Sequence, residues 1–348
     1  MTSAALFTDE EQLLVAAVRE CAEGPVRAAV PACEKSPAFA AGVHAELAGL
    51  GLFGLGMDEE LGGTGSRRIL QAAAFEALAR ESGATALLAM VQSLAAEALT
   101  QASDGRHQPA LEGARVATLV LEPLAAPDAS GKATLTGILH AVPAMGVAED
   151  VVLRTGEGAA MALWHVRAAG AGVEMALAVE PLGMHGAALG TLRLTQARAD
   201  LLVQGEAALD FLAIARLHMS ALLAGVAQGS IAPARRYAGE RAQFGREIIH
   251  LFGVQERLAR AAARAAGLSA QWATAALSAG APGFRRAALL ARWAAASEAV
   301  LVADDCLQVF GGFGFSREYP AERYLRDARF PGLGEFTCAS AAQELAEL

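Results

Sequence analysis

Two stretches in the last third of the chain combine residue types that can hold an anion. One is Tyr237-Ala-Gly-Glu-Arg241-Ala-Gln243-Phe244-Gly245; the other is Gln308-Val-Phe-Gly311-Gly312-Phe-Gly314-Phe-Ser-Arg-Glu318-Tyr319-Pro320, continuing to Arg323-Tyr-Leu-Arg326-Asp327-Ala328-Arg329. Arg241 carries a permanent charge suited to phosphate, and Gly311, Gly312 and Gly314 leave backbone amides free to face one. The same glycines also read as a helix C-cap with no ligand. No G-x-G-x-x-G follows a strand pattern, so a dinucleotide-binding Rossmann site has no support. A metal has little support either: Cys21, Cys33, Cys306 and Cys338 are too far apart for C-x-x-C pairs, and the seven histidines show no H-E-x-x-H spacing. The cysteines read as reduced thiols.

Three textures of chain must position these residues. Thr8-Asp9-Glu10-Glu11 has the form of a capping box and precedes apolar residues at helical spacing. Helical texture runs on to Leu50, pauses at Leu61-Gly62-Gly63-Thr64-Gly65, and resumes from Arg68 to Leu99. From about Ala114 short apolar or alternating runs separated by Gly, Pro and Asp predict strands. Leu209 to Tyr237, Leu251 to Leu277 and Gly283 to Phe310 are long, alanine-rich and poor in breakers, which suits closely packed helices. The expected organisation is α+β and multi-domain: an N-terminal helical domain (1–112), a middle β-barrel or sandwich domain (113–205) and a C-terminal four-helix bundle (206–348).

The 348 residues are 54% hydrophobic and 19% charged, enough apolar material for a large core. A mean hydropathy of +0.35 raises the question of a membrane span. The nearest apolar run, Leu217 to Ala234, is interrupted by His218, Ser220, Gln228, Ser230 and Pro233, and reads as a helix buried in protein. The start of the chain lacks the basic residues and apolar core of a signal peptide, and a cytoplasmic protein is expected. With a net charge of −9 and no basic tract, nucleic acid is not an expected partner.

The motifs resemble those of the acyl-CoA dehydrogenase family, and the resemblance extends over nearly the whole chain. That family combines Y-x-x-x-R-x-x-F-G, Q-x-x-G-G-x-G, E-Y-P and R-D-A in a C-terminal helical domain, after a helical and a β domain. The resemblance implies FAD-dependent desaturation of an acyl-CoA thioester to a trans-2-enoyl-CoA. It also implies an electron-transfer flavoprotein as acceptor and a dimer or tetramer of this chain or of homologous subunits. By motif match, Arg241, Phe244 and Gln255, and then Gln308, Gly311 and Gly312, would touch the adenosine and diphosphate end of a neighbouring subunit's FAD. Counting from Asp327, the family's E-G-T falls on Glu335-Phe336-Thr337, which makes Glu335 the candidate base and Thr337 a cofactor contact. Arg216 matches the family's arginine near substrate and base. Ala215 before it does not match the relatives in which this helix position supplies the base.

The middle of the chain departs from the family pattern. Where the family has T-E-P-x-A-G-S-D, this chain has Leu121-Glu122-Pro123-Leu124-Ala125-Ala126-Pro127-Asp128, without the two hydroxyls that contact flavin. Ala141-Val142-Pro143 stands in place of W-I-T, Gly334 replaces a tyrosine, Phe336 the glycine of E-G-T, and Ala339 a polar contact. Three readings follow: a self-sufficient acyl-CoA dehydrogenase, a subunit completing a partner's FAD site with weak or no activity of its own, and a non-catalytic member of the fold.

Overall fold

The computed structural model describes residues 6–35, 40–125, 133–177, 181–330 and 338–347. The N-terminal helices are α1 (Asp9–Cys21), α2 (Arg27–Lys35), α3 (Ala41–Gly49), α4 (Arg68–Ala79), α5 (Gly83–Leu99) and the short α6 (Gln108–Leu111). The capping box at the start of α1 is present: Thr8 Oγ1 accepts from the Glu11 amide, and a Glu11 carboxylate oxygen accepts from the Thr8 amide at 2.8 Å. A π-helical turn at Ala22–Val26, containing Pro25, joins α1 to α2.

The middle strands are β1 (Ala117–Leu124), β2 (Ala133–Val142), β3 (Asp150–Thr155), β4 (Ala162–Arg167), β5 (Val173–Leu177) and β6 (Gly190–Gln204). They form one sheet in the order β1-β3-β4-β6-β2, with β5 added to β6; β1 and β3 are parallel and the other pairs antiparallel. The 15-residue β6 pairs at its end with β4 and at its start with β2 and β5, crossing several register shifts. Such bulges bend a strand, so the expected barrel or sandwich is a single curled sheet.

The sheet is fastened to the N-terminal domain by a buried charge network. Asp150, fully buried at the start of β3, meets His165 Nε2 at 2.7 Å, Arg167 at 2.8 Å and Arg115 at 3.5 Å. The other ring nitrogen of His165 lies 2.7 Å from Arg106, which also holds Asp104 and Asp200. Burial pushes the Asp150 carboxyl up, but the His165 hydrogen bond and the His165, Arg167 and Arg115 charges outweigh it and hold the group below its ordinary value.

Three long helices follow: α7 (Glu206–Glu240), α8 (Phe252–Leu277) and α9 (Phe284–Val309), with the shorter α10 (Ala321–Ala328) and α11 (Cys338–Glu347). A hairpin of β7 (Ala242–Gln243) and β8 (Arg246–Glu247) links α7 to α8. Gly225 and Gly229 let α7 cross α4 closely. A Cβ at Gly225 would stand 2.3 Å from the Glu76 carbonyl oxygen, and one at Gly229 2.1 Å from that of Arg80. Beside this crossing the buried Glu76 carboxylate accepts from Gln228 and Ser269, both at 2.5 Å, joining α4, α7 and α8. α5 with its following turn and α7 are long and apolar enough to cross a membrane, and both are mostly buried inside the fold.

The R-D-A motif is a domain junction. Asp327, buried on α10, accepts from the Met184 amide at 2.6 Å, and Arg326 binds Glu34 of α2, Glu322 and the Leu182 carbonyl. Arg323 and Tyr324 donate to the Glu81 and Arg80 carbonyls after α4. One short helix thus touches all three domains.

Candidate functional site

The ends of α7 and α9 meet at an open crevice. After α7 the chain turns extended at Arg241, whose amide still donates to the Tyr237 carbonyl at 2.9 Å. The hairpin closes through Phe244 and Gly245, both in the left-handed region at φ of +54° and +77°. This matches the two-residue turn favoured in hairpins, and it leaves Phe244 89% exposed at the tip. α9 ends in a 3-10 turn, Gly311–Phe315. Rings hold that turn against the end of α7: Tyr237 to Phe310 at 4.7 Å, Tyr237 to Tyr319 at 5.2 Å and Phe313 to Tyr319 at 5.9 Å between centroids. Edge and tilted contacts of this kind fix orientation as well as burying apolar surface.

The three glycines do different jobs. A Cβ at Gly314 would come within 2.6 Å of the Leu307 carbonyl oxygen, so Gly314 is needed for packing. A Cβ at Gly311 or Gly312 would meet nothing within 4 Å, and Gly311 sits at φ +57°. Their backbone is therefore open to an approaching group. The crevice has a volume of about 600 Å³ and includes Tyr237, Arg241, Gln243, Gly311, Gly312 and Phe313 in its lining. Arg241 is exposed, its guanidinium carbon 6.0 Å from the Phe313 ring centroid, and its side chain has no ion pair or hydrogen bond among the described residues. An unpaired cation beside open backbone in an aromatic-walled crevice can take a diphosphate.

Phe244, Gln255 on the first turn of α8 and Gln308 on the last turn of α9 are exposed and lie outside the lining of this crevice within one chain. Phe313 was not singled out by motif; its ring is what stands next to Arg241.

Arg216 is placed differently, in the middle of α7 and only 6% exposed. Its two terminal nitrogens donate to the two carboxylate oxygens of Glu344 on α11, at 2.6 and 2.9 Å. No motif marks Glu344, and a pairing across 128 residues leaves no local pattern to read. Glu335 and Thr337 lie outside the described residues.

At the middle-domain positions where the resemblance expects flavin contacts, here called the wall, Leu121 is 1% exposed and Val142 fully buried; the Pro143 carbonyl is taken by the Thr118 hydroxyl at 2.9 Å. The side chains at 121 and 141–143 thus offer no hydrogen-bond donor to a ligand.

A family model described as the acyl-CoA dehydrogenase N-terminal domain matches residues 8–107, and one described as the acyl-CoA dehydrogenase C-terminal domain matches 204–335. The chain belongs to the acyl-CoA dehydrogenase family. Benzylmalonyl-CoA dehydrogenase of Aromatoleum aromaticum is 27% identical over 363 aligned positions, covering 94% of each chain. Among solved structures, a glutaryl-CoA dehydrogenase from Mycobacterium smegmatis in complex with FADH2 superposes with a TM-score of 0.87 at 16% identity, over 99% of this chain and 96% of that one. The ChsE4–ChsE5 complex from Mycobacterium tuberculosis gives 0.87 at 22%, over 98% and 97%. These two structures share the acyl-CoA dehydrogenase fold. The family comprises oxidoreductases that act on a CH–CH bond.

Proposed function

We propose that this chain works in the FAD-dependent α,β-desaturation of an acyl-CoA thioester, as a subunit of an oligomer. The observation that carries the reading is Arg241, exposed and without an ion pair among the described residues, beside the open backbone of Gly311 and Gly312. An FAD diphosphate fits that chemistry, and because the crevice faces outward the FAD it serves is one seated in a neighbouring subunit. Phe244, Gln255 and Gln308, exposed though outside the crevice lining, are assigned to the same contact by the motif match. FAD, when bound, would supply the acceptor for a hydride from the β-carbon. Glu335 takes the α-proton, Thr337 contacts the cofactor, and Arg216 lies beside the thioester. The base must be shielded from water and its pKa raised for an α-proton this weakly acidic. An electron-transfer flavoprotein is the expected electron acceptor.

The bare middle-domain wall favours a second reading. Leu121, Val142 and Pro143 supply none of the side-chain hydrogen bonds expected there, and each is worth roughly 0.5–1.5 kcal/mol. Several lost together weaken this chain's hold on its own FAD by orders of magnitude. The chain then completes the FAD site of a homologous partner, and turnover belongs to the pair.

Purification of the chain alone and with a homologous partner, with flavin absorbance and chain ratio measured in both, separates the two. One FAD per chain, bleached by an acyl-CoA in the chain alone, supports the self-sufficient enzyme and ends the partner reading. Colourless protein that gains one FAD per pair with a homologue does the opposite. Absence of flavin in both preparations sinks both.

A further inference from the structure

A carboxylate shares the crevice with Arg241. The lining runs past Gly311, Gly312 and Phe313 to Ser316 and Glu318. Two anchors hold that strip of backbone in place. The Ser316 amide and hydroxyl both donate to the Phe313 carbonyl, at 3.1 and 3.0 Å, and the Tyr319 ring packs on those of Tyr237 and Phe310, each 5.2 Å away between centroids. Glu318 lies between the anchors, exposed, and like Arg241 its side chain has no ion pair or hydrogen bond among the described residues. The two opposite charges therefore line one crevice without pairing, the guanidinium carbon resting instead 6.0 Å from the centroid of the Phe313 ring. A crevice of about 600 Å³ is of small-molecule size, and a diphosphate at Arg241 would fill only part of it. An ionised carboxylate can only accept hydrogen bonds. It repels phosphate, but it suits a vicinal diol, each hydroxyl donating to one oxygen in a charge-assisted bond.

We propose that Glu318 binds the adenosine ribose of the neighbouring FAD and keeps the crevice from taking coenzyme A. The inference rests on the reading given above, in which Arg241 and the open backbone of Gly311 and Gly312 hold the diphosphate of an FAD seated in a neighbouring subunit. A protein that works on acyl-CoA with FAD meets two ligands with an ADP end. In FAD both ribose hydroxyls of the adenosine are free; in CoA the 3′-hydroxyl carries a phosphate. The ribose follows the diphosphate by one methylene, so a crevice that holds one holds the other. With the diphosphate at Arg241, FAD donates two hydroxyls to Glu318, whereas CoA has one hydroxyl fewer and brings a phosphate against the carboxylate. Glu318 is thus a specificity-determining contact for the cofactor and takes no part in the desaturation step.

The test is FAD uptake by the flavin-depleted assembled protein, read from flavin fluorescence, in competition with ADP, 3′-deoxy-ADP, 3′-phospho-ADP or inorganic pyrophosphate. Only occupancy of the FAD site lowers uptake, so a CoA nucleotide resting at the substrate site does not register. In the unmodified protein ADP is expected to compete at a concentration about tenfold or more below that of 3′-phospho-ADP, with 3′-deoxy-ADP between them. Glu318→Gln keeps the size and one acceptor but removes the charge; it weakens ADP and brings ADP and 3′-phospho-ADP to within about threefold of each other, without weakening pyrophosphate. Equal competition by ADP and 3′-phospho-ADP in the unmodified protein, or FAD uptake that no nucleotide lowers, overturns the proposal. So does a Glu318→Gln variant that tightens all the competitors alike, because Glu318 then only screens Arg241. Each of these leaves FAD binding itself intact. If Glu318→Gln does not assemble, 3′-deoxy-ADP competing as well as ADP in the unmodified protein overturns the ribose contact. Failure of every form to take up FAD overturns the FAD reading on which the inference rests.

Discussion

The crevice at the ends of α7 and α9 and the wall of the curled sheet use their polar groups in opposite ways. At the crevice Arg241 has no ion pair or hydrogen bond among the described residues, and a Cβ at Gly311 or Gly312 would meet nothing within 4 Å. In the middle domain a group of charged side chains is taken up at the junction with the N-terminal domain, where Asp150, His165, Arg106, Arg115 and Arg167 satisfy one another. The wall retains Leu121, Val142 and Pro143. One region has binding capacity unspent inside the chain; the other has spent it on holding domains together. A binding edge and a docking network can look alike in sequence, because both need arginine and acid. What separates them is whether the partner lies in the same chain.

The largest effect is expected from breaking the docking network. Asp150→Ala leaves three cationic or polar partners facing a vacant buried position and should cost about 3–5 kcal/mol, read from the denaturant midpoint. Asp150→Asn tests the charge alone. Because the folded-state pKa of Asp150 is depressed, its contribution is present above the ordinary carboxylate value and is lost as pH falls through the lower folded value. The asparagine variant should therefore lose stability at neutral pH and show a flatter decline in acid; an unchanged acid limb would mean that Asp150 titrates alike in the folded and unfolded chain. Arg241→Gln is expected to act the other way round. With no partner to strand, it should leave the melting temperature unchanged, while FAD retention by the assembled protein falls by roughly the 1.5–3 kcal/mol of a hydrogen bond to a charged group. A loss of stability without loss of FAD would place Arg241 with the docking residues and erase the contrast.

How much of this was legible in the sequence depended on the range of the interaction. The Thr8–Glu11 capping box and the long helices depend on neighbours a few residues away, and α7, α8 and α9 run close to the stretches expected from alanine-rich texture. The strand texture after Ala114 was legible, but not that β6, Gly190–Gln204, is one long strand, because bulges let it serve two parts of the sheet and interrupt its alternation. The glycine motif was legible as an anion candidate, but the separate role of Gly314 against Leu307 is a packing fact. R-D-A was legible as a family mark, though not that Asp327 holds the Met184 amide. Glu344 was invisible for the plainest reason: its partner is on another helix, and one acid in a chain with 37 acidic residues carries no signal.

The smallest effects sharpen the same contrast at the backbone. Gly311 in the crevice and Ala141 at the wall hold nearly the same φ, +57° and +52°. Ala141 is there because pairing between β2 and β6 slips between Leu139 and Val142, and the extra residue of such a bulge takes the left-handed conformation that glycine adopts without strain. For an L-residue that conformation costs roughly 1–2 kcal/mol, while alanine restricts the unfolded chain more than glycine by about 0.4–1 kcal/mol. Gly311→Ala, with nothing within 4 Å of the new methyl, should thus lose about 1 kcal/mol through strain alone. Ala141→Gly should gain somewhat less than that, without changing FAD retention. The two measured changes should nearly cancel, since each is the other's exchange run backwards at a similar φ. A loss on Ala141→Gly would show that the exposed methyl makes a contact worth more than its strain, and that the wall, too, is shaped for a partner.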